Sequence, residues 1–266
     1  MLLETGARPL RFTALTPDPK AKEIIERPTI VEAPIAVEYN GIGYAVMMAT
    51  PIDLNDFAIG FSLSERLIDQ ADEIVAIDAH RAELGWILRI QVPLENAEKV
   101  IARARQRVSE SSCGLCGMDN LDEVMRPLPT VTAQIDVSDV AIFSALSALR
   151  DHQPLNKATG SAHAAVFCTA DGTVMMARED VGRHNALDKL IGALARAGVD
   201  VSSGFILLTA RCSLELVQKA ILANCPMLVT ISAATDLAID TAAQYGLRLI
   251  SLARPDGALL AMPQND

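Results

Sequence analysis

Short apolar runs broken by turn signals fill the first part of the chain, and strand-helix alternation fills the last. Residues 1–27 place Pro9, Pro17 and Pro19 among mixed charges, which predicts a loosely structured N-terminal extension. Residues 29–39 read as a strand, Asn40-Gly41 as a hairpin turn, and residues 42–48 as the returning strand. Leu54, Phe57, Ala58, Phe61 and Ile68 fall at helical spacing behind Asp53 as N-cap. Residues 74–77 and 86–92 predict two further strands and 95–107 a helix, so 28–108 form a small α+β lobe. Residues 109–134 interrupt all periodicity with serines, glycines and two prolines, as a linker loop does.

From 135 the rhythm changes. A helix is predicted over 138–150, strands over 164–168 and 173–177 about an Asp171-Gly172 turn, and a helix through Leu187, Leu190, Ile191 and Leu194 ending before Gly198. A strand at 205–208, a helix at 214–223, a strand at 227–231, a helix at 235–244 closing at Gly246 and a final strand at 247–252 follow. Such alternation requires crossover connections, so residues 135–266 predict an α/β lobe with a mostly parallel, covered sheet.

Composition narrows the picture. Half of the 266 residues are hydrophobic but only 4% are aromatic, which suits short buried strands of Ala, Val, Leu and Ile. A net charge of −10 argues against a general nucleic-acid binder, while leaving room for one anionic ligand held by a few arginines. The opening residues lack a charged segment followed by an apolar one, and no run reaches the ~18 apolar residues of a membrane span, so a cytoplasmic protein without membrane contact is expected. Five cysteines, an odd number, disfavour a disulfide scaffold; Cys168, Cys212 and Cys225 lie in apolar surroundings and read as small core residues.

The other two thiols form Cys113-Gly114-Leu115-Cys116, a CxxC with no second CxxC to complete a metal cage. A thioredoxin-like dithiol would open a helix that lowers the first thiol's pKa, and no helix pattern follows here. A carrier thiol fits best: it takes a sulfane sulfur as a persulfide from a donor and passes it on, with Gly114 and Gly117 supplying freedom. A zinc site drawn from Cys113, Cys116, His163 and His184 has acceptable ligand types but no recognisable spacing, and no metal is expected.

A second constellation gathers at strand-to-helix turns: Asp180, Gly182, Arg183, His184 and Asn185; then Thr209, Arg211 and Ser213; then Ser232 and Thr235. Ligands bind along the carboxyl ends of strands in open α/β sheets, and the helix N-termini there favour anions. Arg183 and Arg211 add bidentate capacity, which points to a phosphorylated ligand such as a nucleotide. Each residue also has an ordinary reading: Asp180, Ser213 and Thr235 as helix caps, the arginines as partners of Glu179 or Glu215. His163, entering an apolar strand behind Thr159-Gly160-Ser161, is a ligand, a proton donor or a structural residue.

Residues 112–117, the run Arg178-Glu179-Asp180-Val181-Gly182-Arg183-His184-Asn185-Ala186-Leu187-Asp188-Lys189 and the run 215–220, with weaker echoes at 60–65 and 159–165, resemble the formate dehydrogenase accessory sulfurtransferases, the FdhD/NarQ family. The resemblance runs from about residue 30 to the C-terminus. It implies a C-terminal three-layer α/β/α lobe similar to cytidine deaminases, without deaminase chemistry. It further implies a sulfurtransferase that accepts sulfur from a cysteine desulfurase on Cys113, beside Cys116, and passes it to the molybdenum bis(guanine dinucleotide) cofactor of formate dehydrogenase or a related molybdenum or tungsten apoenzyme. The family's cofactor contact falls on Leu252, Ala253, Arg254, Pro255, Asp256 and Gly257, and the inferred crevice would hold the GDP-like moiety. A homodimer is the family expectation. The alternative is a non-catalytic chaperone that binds and delivers the guanylated cofactor. Arg66, Ser161 and Ala210 stand where the family usually has glycine, and Ala234 where it has proline.

Overall fold

The structure, a computed structural model, describes residues 5–17, 22–110 and 127–262. Its polypeptide builds two sheets joined at a helix crossing, with a two-stranded ribbon at the N-terminal end.

That ribbon corrects the expectation of a loose lead. Strands β1 (Ala7–Ala14) and β2 (Glu23–Ile30) pair antiparallel along their whole length. Its prolines misled the sequence reading because proline breaks interior ladders; here Pro9 faces Pro28 in a ribbon of two edge strands, where a missing N–H is tolerated. The single strand expected over 29–39 is also divided, with Val31 and Glu32 separating β2 from β3 (Ala33–Tyr39).

The smaller sheet has the order β4-β3-β6-β5, with β4 (Ile42–Ala49), β5 (Ala76–Ala82) and β6 (Gly85–Gln91). Asn40 (φ 49°) and Gly41 (φ 80°) both adopt the positive φ that a two-residue hairpin turn requires. Alternate residues Ile35, Val37 and Tyr39 of β3 are buried with Leu88 and Ile90 of β6. Helices α1 (Leu54–Ser64) and α2 (Leu94–Glu110) supply Phe57, Ala58, Phe61 and Val100 to this core. Asp53 precedes α1 as expected, but in a left-handed conformation with no side-chain cap.

The larger sheet runs β12-β11-β10-β9-β7-β8. Strands β9 (Gly204–Leu208), β10 (Met227–Thr230) and β11 (Arg248–Arg254) are parallel; β7 (His163–Thr169) is antiparallel to both β9 and β8 (Val174–Asp180), so β8 points the same way as the central three. The strand expected to be last is followed by β12 (Gly257–Leu260), which folds back on β11. Along β7 the pleat sends Ala164, Val166 and Cys168 to one face, under α3 (Asp139–Ala148), and Ala165 and Phe167 to the other. That second face carries α5 (Arg183–Arg196), α6 (Leu214–Leu222) and α7 (Asp236–Gln244). A short α4 (Pro154–Thr159), not predicted, precedes β7. The result is a three-layer α/β/α lobe.

The lobes meet where α1 lies across α5. A Cβ on Gly60 would sit 1.7 Å from the Asp188 carbonyl oxygen, and one on Gly192 would sit 1.9 Å from that of Asp56. Backbone therefore touches backbone, and glycine is the only residue that fits at either point.

Candidate functional site

Because β8, β9, β10 and β11 share one direction, their carboxyl ends lie along one edge of the sheet, joined there by the start of antiparallel β7. Each carboxyl end of β8, β9 and β10 opens a helix, so the N-termini of α5, α6 and α7 face the same edge. The sequence-predicted residues 180–185, 209–213, 232–235, 252–257 and His163 thus converge on a single rim. Cross-loop bonds hold it together: Cys212 N donates to Ala233 O (3.0 Å), Thr235 N to Cys212 O (3.0 Å), and Leu252 N to Ser232 O (3.1 Å).

Within this rim the residues divide by orientation. Asp180 is fully buried and turned towards the smaller lobe, where it pairs with the equally buried Lys189 at 2.6 Å. Its oxygens also accept from Thr50 N (3.0 Å), Gly182 N (2.7 Å) and Asn185 Nδ2 (3.1 Å). Asn185 donates onward to Met48 O at 2.9 Å. Thr50 is held at every polar atom, since its Oγ1 accepts from Val181 N (3.1 Å) and its carbonyl from Lys189 Nζ (2.8 Å). Two neighbours act likewise: Arg178 reaches Asp56 at 2.8 Å, and Asp188 accepts from Ser64 Oγ and Lys219 Nζ, both at 2.7 Å. Most polar residues of the 178–189 run therefore fasten the two lobes. Gly182 belongs with them, because a Cβ there would meet Asn185 Nδ2 at 2.8 Å.

Arg183 and His184 are the members of that run left for a ligand. Arg183 is half-buried, and its Nε is buried without a hydrogen-bond partner among the described residues. His184 Nε2 lies 3.0 Å from Glu215 Oε2 and 3.4 Å from Ser213 Oγ. Both contacts fall on the same nitrogen, so the ring orients Glu215 rather than relaying a proton between the two. The bond from His184 holds the Glu215 carboxyl below its ordinary value. His163, paired across the ladder with Asp180, has its pKa lowered by burial first and by the Arg183 charge second.

The remaining positions follow their local structure. Thr235 caps α7, its Oγ1 accepting from Ala238 N at 3.4 Å, and Thr209 Oγ1 accepts from Ala164 N at 2.9 Å. Ser213 makes no side-chain cap bond and instead faces His184. Arg211 is exposed, as are Arg254, Pro255 and Asp256 in the tight β11–β12 turn that closes on Gly257. Ala253 is buried, and Leu252 adopts φ 50° at the bulge in this hairpin, an uncommon backbone for a bulky residue and the kind of strain that gathers at ligand sites. The Ala210 and Ser161 departures bring no such strain, as neither takes a positive φ. Lys189 and Thr50 were not anticipated; a lysine on the apolar stripe of a helix, beside Leu190, was the available signal.

Cys113 and Cys116 lie outside the described residues. The other three cysteines are buried, with burial pushing each thiol up to about 12. No group of three or more His, Cys, Asp or Glu suited to a metal occurs among the described residues. Within the same residues no helix is long and apolar enough to cross a membrane.

The chain, a three-layer lobe fastened to a smaller sheet by the 178–189 run, belongs to the FdhD/NarQ family: residues 30–260 match that family's model. Among curated proteins it is 46% identical to "Sulfur carrier protein FdhD" of Xanthomonas euvesicatoria pv. vesicatoria (strain 85-10) over 234 residues, covering 88% of this chain and 83% of the relative. It is 44% identical over 230 residues to the protein of that name from Variovorax paradoxus (strain S110), covering 86% and 83%. A crystal structure of a formate dehydrogenase accessory protein from Desulfotalea psychrophila has the same fold, with a TM-score of 0.75 over 96% of each chain at 20% identity.

Proposed function

We propose that this chain is a sulfur carrier in formate dehydrogenase maturation. It accepts sulfur from a cysteine desulfurase as a persulfide on Cys113 and delivers it to the molybdenum bis(guanine dinucleotide) cofactor, bound as substrate. The carboxyl rim is the observation that carries the reading: three helix N-termini, Arg183 with a buried Nε that has no partner among the described residues, and exposed Arg211 and Arg254 all lie on one edge. This is the donor set for the diphosphate of a guanine nucleotide. His163, His184, Ser232, Thr235 and the 252–257 turn border it.

Exclusion and the family both support the thiol chemistry. Cys168, Cys212 and Cys225 are buried and protonated at neutral pH, which leaves Cys113 and Cys116 to react. Attack of the Cys113 thiolate on the outer sulfur of the desulfurase persulfide forms one S–S bond and breaks another, and the desulfurase thiolate leaves. The four strands' shared rim then supplies the acceptor's binding site, and the same compartment that keeps Cys113 reduced, the cytoplasm, fits this chemistry.

The test is mass spectrometry of the non-reduced protein after incubation with a cysteine desulfurase and cysteine, beside titration with GDP. Gain of one sulfur on Cys113, lost in Cys113→Ala, and GDP binding weakened about tenfold or more by Arg183→Ala are the expected results, the latter being the loss of one charge-assisted contact. If Cys113→Ala still activates a formate dehydrogenase, the protein is a cofactor chaperone and the carrier reading falls.

A further inference from the structure

We infer that Glu215 and Lys219 are positioning residues for the carboxyl rim. With His184 and Asp188 they clasp α6 to α5 in one register, which sets the two helix N-termini side by side. The inference rests on the reading of that rim as the seat of a nucleotide's phosphates.

Both helices start at the rim and run away from it in the same direction. Their charged residues repeat at the same interval: His184 and Asp188 stand one turn apart on α5, Glu215 and Lys219 one turn apart on α6. The outer pair joins His184 Nε2 to Glu215 Oε2 at 3.0 Å and lies partly open at the rim. The inner pair joins Lys219 Nζ to both Asp188 oxygens at 2.7 Å and is sealed, Asp188 being 1% exposed. Burial of Leu216, Val217, Ala220 and Ile221 holds α6 on the core, but that force is non-directional. The flanks of α6 are tied elsewhere. Before the helix Cys212 N donates to Ala233 O, and after it Asn224 Oδ1 accepts from Thr132 N at 3.3 Å. Neither of these ties reaches α5.

The order of the charges admits one register. A shift of α6 by one turn, about 5.4 Å, away from the rim sets Glu215 against Asp188, carboxylate facing carboxylate. A shift of one turn towards the rim sets Lys219 beside His184 and leaves buried Asp188 facing Ala223, without a cation. A buried ion pair adds little stability over an apolar pair of the same volume, and fixing register is its best-attested use. Burial pushes the Asp188 carboxyl up, and Lys219 opposes that rise. The reference runs further, because Asp188 also accepts from Ser64 Oγ of α1, and its carbonyl is the surface that Gly60 abuts. The rim and the crossing of the lobes are thus set from one residue.

Substitutions in the two pairs separate position from charge and from stability. Glu215→Ala removes a negative charge from the field of Arg183, which by Coulomb attraction alone tightens anion binding, whereas loss of position weakens it. Titration with GDP should show binding about fivefold weaker in Glu215→Ala, and within about twofold of wild type in Glu215→Gln, which keeps an acceptor for His184. Asp188→Asn combined with Lys219→Met removes the inner pair at constant net charge. Its thermal midpoint should stay near that of the wild type while GDP binding falls about tenfold. Crystal structures of the wild type and this double variant in one crystal form should show α6 displaced along its axis against α5. Glu215 is 41% exposed, so its variants decide the matter even if the buried double variant fails to fold. Unchanged or tighter binding in Glu215→Ala, an unmoved α6 in the double variant, or a midpoint that falls in step with affinity overturns the proposal. A wild type that binds no GDP, with α6 still displaced in the double variant, overturns the nucleotide reading instead.

Discussion

At the scale of single residues, His163 shows how the rim senses acid. Burial and the Arg183 charge hold its folded pKa below 6.5, the ordinary value it regains on unfolding, while Asp180 pulls the other way and His184 adds to the depression. The unfolded chain therefore binds the proton more readily, so this part of the stability is present above pH 6.5 and is lost as pH falls through the folded pKa. Denaturant titrations of the wild type between pH 7.5 and pH 5 should show a declining midpoint. His163→Gln should flatten that decline, and an identical decline in both proteins would assign it to other groups. The Asp180–Lys189 pair belongs to this scale as well. Both side chains are fully buried, and removing one partner of such a pair typically costs ~3–5 kcal/mol.

Among the elements, the crossing of α1 on α5 is the most constrained. With Gly60 and Gly192 facing each other's backbones, a single methyl forces the helices apart and with them the Thr50–Asp180–Lys189 contacts beside the crossing. Gly60→Ala and Gly192→Ala should each lower unfolding stability by about 3 kcal/mol or more, the upper end of overpacking costs, in equilibrium urea unfolding. Gly198→Ala is the control, since no atom lies within 4 Å of its added Cβ, and it should lose only what its left-handed φ of 65° demands. The sequence made the elements legible here without the crossing. Phe57, Ala58 and Phe61 announced α1, and Leu187, Leu190 and Leu194 announced α5, because a helical stripe is local information. Which glycine would meet which carbonyl depends on residues more than a hundred positions apart. The same limit explains the polar run at 178–189: its charge pattern marked it as special, yet nothing local told that Asp180 and Asn185 turn inward while Arg183 and His184 turn out. The β1–β2 ribbon and β12 were missed for the opposite reason, since exposed edge strands interrupted by prolines or closed by a tight turn carry almost no periodicity.

Across the whole molecule, the distribution of thiols sets a clear expectation. Three of the five cysteines are packed in the cores, and Cys212 lies within the rim itself yet is sealed beneath it. Brief alkylation of the native protein should modify Cys113 and Cys116 alone, with Cys168, Cys212 and Cys225 reacting only after denaturant is added; peptide mapping reads this directly. Early labelling of Cys212 would mean that the rim opens in solution. The carboxyl rim itself follows from the strand-helix order alone, because parallel strands must end on one edge.

The backbone contact between α1 and α5 carries a consequence for how such a chain can be inherited. Two sheets welded through glycine cannot be traded singly between relatives, for a lobe taken from another lineage would arrive with a helix of slightly different spacing and no slack to absorb it. A chimera cut anywhere between Gly60 and Gly192 tests whether the two surfaces must be matched to one another.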